Sequence, residues 1–195
     1  MRRSSVEVAV MKKKRLEGLV DAIFAIAMTI LVLGIDVPTG TMSVPAMDAY
    51  IMGLASDLYS YCLSFLLLGV FWWVNHMHFE KLEKVDTGFI WINIVWLMVV
   101  VLVPFSTKLT GNYGDLVTPN ILFHLNMLTI GLLLSMSWIY TQRNGLMDIG
   151  ENEYRLILKK NLLMPLAAIL ALILTPIAPE YSSTAYAVLI LKRLL

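Results

Sequence analysis

The sequence predicts an all-α integral membrane protein with six transmembrane helices. Three observations carry this: long apolar runs along the whole chain, a low charge content, and cations that alternate between successive loops. Of its 195 residues, 58% are hydrophobic and only 15% charged, against roughly 25% in ordinary soluble domains. The apolar runs place helices at approximately 16–35, 50–74, 89–107, 119–140, 159–177 and 180–195, within one domain covering 1–195. Each of the first five is long enough to cross a hydrocarbon core of roughly 30 Å at about 1.5 Å per residue. The last is the shortest, and its uncharged core approaches the length of an interfacial segment.

Orientation follows from the loops. The N-terminal segment, Lys81 and Lys84, the Arg143 to Lys160 stretch, and Lys192 with Arg193 hold fourteen of the fifteen Lys and Arg residues. Lys108 alone falls in the opposite set of loops. The positive-inside rule then puts both termini in the cytoplasm, and six spans keep the two ends on one side. The N-terminal segment has no small-x-small cleavage pattern after its apolar run, so it is expected to be retained. Tyr and Trp cluster near helix ends, as Tyr50, Trp72, Trp73, Tyr113 and Trp138 do, where interfacial belts place them.

The first helix, RLEGLVDAIFAIAMTILVLGID, has two distinct ridges. Gly18, Ala22, Ala25 and Thr29 recur at helical spacing and would let a neighbouring backbone come close. Leu19, Ile23, Ile26, Ile30, Leu33 and Val37 repeat one residue later and make an adjacent bulky stripe. From spacing alone, both ridges can serve helix packing, or the bulky one can line a passage.

Candidate chemical groups are few. Asp21 is the acid nearest the membrane interior, where an unpaired carboxylate is costly. It requires solvent or a partner on another helix, with His76, Asn75 and Asn93 as candidates. His76 and His78 stand two apart and point to different sides of a helix, without a Cys or carboxylate set to complete a metal site. His76 and Trp72, four apart, suit a structural contact. His124 opens the fourth helix without catalytic company, and the single cysteine, Cys62, is expected to pack in its apolar run. There is no nucleophile triad motif, no glycine-rich phosphate loop and no soluble segment to house a catalytic site, so no enzyme, cofactor or nucleic-acid partner is expected. Helices three to six carry no charge in their middles, which disfavours a proton-coupled transporter.

The stretch Arg15-x-x-x-Leu19-Val20-Asp21 with AIFAIAMTILVLGIDVP after it resembles the first-helix signature Arg-x-x-x-Phe-Ser-Asp of the transmembrane protein 175 family of potassium channels. FWWVNHMHF and VDTGFIWINIVWLMVVVLVPFSTKLTGNYGD extend the resemblance over most of the chain. Leu19 and Val20 depart from the signature Phe and Ser. The resemblance implies a prokaryotic homotetramer in the plasma membrane, with helix one lining a central pore for potassium. It implies an apolar constriction at Ile26, further apolar layers at Ile30 and Leu33, and a hydroxyl layer at Thr29. It also implies an interhelix and intersubunit network of Arg15, Asp21, Trp72, His76 and Asn93. A potassium-selective leak-type channel is therefore the expected function. A secondary transporter or proton-permeable pathway is the alternative, and a non-conducting scaffold the third reading.

Overall fold

The computed structural model describes residues 2–186, with side chains from Lys13 to Tyr186. Residues 187–195 lie outside it, and with them most of the expected sixth helix and its cations Lys192 and Arg193. The described residues form helices joined by short non-helical links, and their one β feature is an isolated antiparallel bridge between Leu82 and Met147. Five helical stretches are long and apolar enough to cross a membrane: Lys13–Gly34, Val44–Lys81, Thr87–Asn112, Val117–Arg143 and Glu151–Leu174.

Helix α1 runs over Arg2–Ile30 and tightens into a 3-10 turn over Leu31–Gly34. Leu16, Val20, Phe24, Ala27 and Leu31 recur every three or four residues and form its buried stripe. Phe24 packs against Trp96 with ring centroids 5.3 Å apart. Residues 35–43 then form a non-helical link, with Gly40 at a positive φ. Ser43 caps α2 (Val44–Gly53), its hydroxyl accepting from the Ala46 amide, with Pro45 in the first turn where a missing N–H costs nothing. Leu54 separates α2 from α3 (Ala55–Lys81).

At the inner end of α3, Asp86 caps α4 (Thr87–Val100), accepting from the Phe89 amide at 2.7 Å and from the Tyr140 hydroxyl at 2.9 Å. Pro104 cannot donate to the carbonyl four residues earlier. The span therefore breaks after Val100 and restarts as α5 (Val103–Asn112), five residues beyond the end that the apolar run suggests.

Helices α6 (Val117–Arg143) and α7 (Glu151–Leu174) form the tightest pair. Pro165, read from sequence as an end effect or a kink, sits well inside α7. Its ring lies against Gly131, where an added Cβ would come within 2.8 Å of the proline Cδ. Gly131→Ala is accordingly expected to destabilise the subunit by about 1–3 kcal/mol through overpacking. Thermal denaturation in detergent reads this as a lowered midpoint, while Gly53→Ala, which meets open space, leaves it unchanged or slightly raised.

Most buried polar side chains among the described residues find partners, as an environment without water requires; the side-chain oxygens of Asn75, Gln142 and Asn161 do not. Thr107 donates to Ser64 at 2.7 Å, and the Trp96 indole N–H to the Ile130 carbonyl at 3.1 Å. His124 is fully buried between the hydroxyls of Tyr186 at 3.0 Å and Ser182 at 2.9 Å. It ties the short helix α8 (Pro179–Ser182) and the residues after it to α6. Cys62 is a correction to the sequence reading. It is exposed on the outer surface of α3 and takes no part in the core, because Leu63, Leu67 and Phe71 occupy the face of α3 that points inward.

Candidate functional site

Side chains divide α1 into three sectors. Successive residues turn by about 100°, so the buried stripe of Leu16, Val20, Phe24, Ala27 and Leu31 leaves Gly18, Ala22, Ala25 and Thr29 on the opposite side, all exposed. Within the subunit this small ridge does not pack, and a Cβ added to Gly18 would meet nothing within 4 Å. Large side chains fill the gap to α3 and α4, so the small residues stay uncovered.

Beside that ridge stand Ile26, Ile30 and Leu33, 56%, 43% and 73% exposed, whereas Phe24 on the other side is 1% exposed. The three border a lateral groove of about 440 Å³, closed on its far wall by Val101, Pro104 and Phe105 of the α4–α5 span. Thr29 lies one turn above Ala25 and donates its hydroxyl proton to the Ile26 carbonyl at 2.8 Å. Its oxygen therefore offers only lone pairs to whatever passes that face.

Two anchors hold α1 at its ends. At the inner end, the Trp72 indole N–H donates to Asp21 Oδ1 at 2.8 Å. Trp72 stacks on His76, with centroids 5.7 Å apart and planes 19° apart. His76 stands between two carboxylates, Nδ1 3.7 Å from Glu17 and Nε2 3.6 Å from Glu80. Nearer the N-terminus, Lys13 donates to the Leu82 carbonyl at 2.7 Å.

The structure thus brings Asp21, Trp72 and His76 together and adds Glu17, which sequence reasoning missed. Its position one helical turn before Asp21 was the available signal. Arg15 is exposed and makes no hydrogen bond or ion pair among the described residues. Asn93 is buried and donates to the Phe89 carbonyl of its own helix. Asn75 is buried too, its side-chain oxygen without a hydrogen-bond partner among the described residues.

At the outer end, Lys108 reaches Asp36 Oδ1 at 2.7 Å and the Tyr50 hydroxyl donates to the Asp36 backbone carbonyl at 2.7 Å. Lys108 was legible as the lone outer cation, but its partner was not. The hydrogen bond from Lys108, and then its charge, hold the Asp36 carboxyl below the ordinary carboxylate range. A carboxyl lowered in the folded state contributes stability above its unfolded value and loses it as pH falls through the folded one. The pair is therefore intact at neutral pH. Acidification is expected to lower the denaturation midpoint in part through this pair, and Lys108→Met removes that part of the pH profile.

No set of three or more His, Cys, Asp or Glu among the described residues converges to hold a metal ion. What α1 presents instead is an uncharged face, apolar with one hydroxyl, on a helix tied to its neighbours by polar contacts at Asp21 and just beyond its end at Asp36.

Comparisons with known proteins agree with that architecture. Residues 15–104 match the family model described as endosomal/lysosomal potassium channel TMEM175. A protein from Streptomyces collinus described as a potassium channel is 31% identical over 137 residues, covering 67% of this chain and 65% of that protein. Another so described, from a Chryseobacterium species, is 32% identical over 101 residues, 52% of this chain and 50% of its own length. The chain thus spans between half and two thirds of the curated relatives it matches here. Among solved structures, a lysosomal potassium-selective channel TMEM175 homolog from Chamaesiphon minutus superposes with a TM-score of 0.82 at 26% identity, over 93% of this chain and 96% of that one. A single-residue variant of the potassium channel MtTMEM175, solved in complex with a nanobody fusion protein, shares the fold, with a TM-score of 0.65 at 20% identity over 90% and 88% of the two chains. Signature helix, family match and superposition converge on the TMEM175 family, a family of potassium channels and not of enzymes, whose model residues 15–104 match.

Proposed function

We propose that this chain forms a potassium-selective, leak-type channel in a prokaryotic plasma membrane. It does so as a homotetramer of six-helix subunits, with both termini cytoplasmic and α1 lining the pore. The observation that carries the reading is the uncovered side of α1. Ile26, Ile30 and Leu33 stand exposed next to a ridge of small residues, while the helix is anchored to its own subunit by the opposite side.

Four such helices approaching through Gly18, Ala22 and Ala25 would turn the adjacent bulky stripe toward a common axis. A ring of four Ile26 side chains offers no hydrogen bonds, so water leaves a neck that is too narrow and ions stop. When the neck widens enough to wet, a cation crosses partly dehydrated. Potassium sheds water more readily than sodium, and Thr29 oxygens one turn from the neck supply acceptors without competing donors. The selectivity is accordingly modest compared with a carbonyl-lined filter, of which the sequence has no trace. Potassium is the permeant ion and no cofactor takes part. Asp21, Trp72 and His76 hold the inner end of the pore helix in place, and Arg15 and Asn93 complete the network only across subunits or after rearrangement.

The deciding experiment is the reversal potential of purified protein in a planar bilayer between asymmetric potassium and sodium solutions. Unitary currents reversing toward the potassium equilibrium potential are expected. Saturable flux coupled to a second ion would establish the transporter reading instead, and no flux at all the scaffold.

A further inference from the structure

The end of α1 changes its winding in its last turn, where helices commonly tighten to 3-10. After Ile30 the helix tightens from α to 3-10 over Leu31–Gly34. That segment, LVLG, contains no proline and only a terminal glycine, so it could continue as an α-helix. Two contacts lie just beyond it. Asp36 is held twice, its carboxylate by Lys108 of α5 at 2.7 Å and its backbone carbonyl by Tyr50 of α2 at 2.7 Å. Leu31 is buried against the subunit. A 3-10 turn, rising about 2.0 Å per residue against about 1.5 Å, covers more of the distance between Leu31 and Asp36 than an α turn of the same residues.

The winding decides where Leu33 points. In a 3-10 helix residues three apart eclipse one another, whereas in an α-helix they are offset by about 60°. Ile30 and Leu33 therefore stand on one line only in the tightened form. We infer that Asp36, held by Lys108 and Tyr50, is the positioning residue that keeps the outer turn of α1 in its 3-10 form and so aligns Leu33 above Ile30. This rests on the reading of α1 as the pore helix. The clamp then determines whether the outer apolar layer continues the same file of side chains as the inner ones.

The test uses the full chain with Cys62→Ser, which removes its one thiol, carrying Leu33→Cys as reporter or Ile177→Cys as an exposed reporter away from the clamp. Each is combined in turn with Asp36→Asn, Lys108→Met and Tyr50→Phe and reconstituted in liposomes. The rate of modification by a membrane-impermeant methanethiosulfonate reagent is measured from the outer side. At position 33 the rate is expected to shift roughly two- to fivefold, the extent to which an exposed ion pair biases a two-state equilibrium. The rate at 177 stays constant, and the exchange Asp36→Lys with Lys108→Asp returns the rate at 33 toward its starting value. Tyr50→Phe, which changes no charge, moves the rate in the same direction as Lys108→Met. Unaltered rates at 33 in all three variants, or an exchange pair that restores nothing, overturn the clamp. The thiol rates need no ion current, so a protein that conducts nothing refutes the channel reading while the rate at 33 still decides the clamp.

Discussion

Ile26→Asn raises unitary potassium current and weakens discrimination against sodium in planar-bilayer recordings. The proposed constriction is apolar, so its barrier would be the cost of wetting a narrow neck and stripping water from the ion. A carboxamide at each of four positions supplies donors and acceptors that replace part of that water. Lowering the barrier by about 1 kcal/mol raises the rate of passage roughly fivefold. The substitution should fold well, because Ile26 is 56% exposed within the subunit and leaves no cavity in its core. Unchanged current and reversal potential would remove Ile26 from the neck and shift attention to Ile30 and Leu33, which share the groove with it.

Asp21→Ala shifts the detergent-solubilised protein toward smaller oligomers, read by light scattering coupled to size exclusion. Asp21 accepts from the Trp72 indole at 2.8 Å, and Trp72 in turn stacks on His76 between Glu17 and Glu80. A hydrogen bond to a charged acceptor contributes about 1.5–3 kcal/mol when shielded from water, as it would be once a second subunit covers this face. Losing it frees the inner end of α1, and four tilted pore helices no longer match one another. Trp72→Phe keeps the ring stack and removes only the donor, so it should produce the same shift to a smaller degree. A tetramer of undiminished stability in Asp21→Ala would make Asp21 a solvated residue at headgroup depth.

Much of this was legible along the chain, for identifiable reasons. Apolar runs of membrane length leave helix as the one available backbone solution, since every N–H and C=O must be satisfied within the segment. Cation alternation adds an expectation for the orientation of the spans. Asp21 drew attention because a carboxylate near the interior needs an explanation, and the i, i+4 pair of Trp72 and His76 proved to be its neighbourhood. Less legible was anything that depended on how helices face each other. The two ridges of α1 were evident, but the stripe that the subunit buries, Leu16 to Leu31, was neither of them. Cys62 sat in an apolar run that could not reveal which side of α3 met lipid. Pro165 looked like a helix end because proline usually is one, yet Gly131 opposite it makes room for the ring inside α7.

By itself, then, the sequence determined the class of the protein, its helices and the first helix as the place to look. Those properties follow from local composition and from the bilayer's length scale, which each segment meets alone. The tertiary structure decided which face of that helix is left uncovered, that Asp21 meets Trp72 rather than Asn93, and that Asp36 is tied to Lys108 and Tyr50. Those pairings join residues 51, 72 and 14 positions apart. Periodicity assigns a residue to a side of its own helix, but only packing decides which helix that side meets.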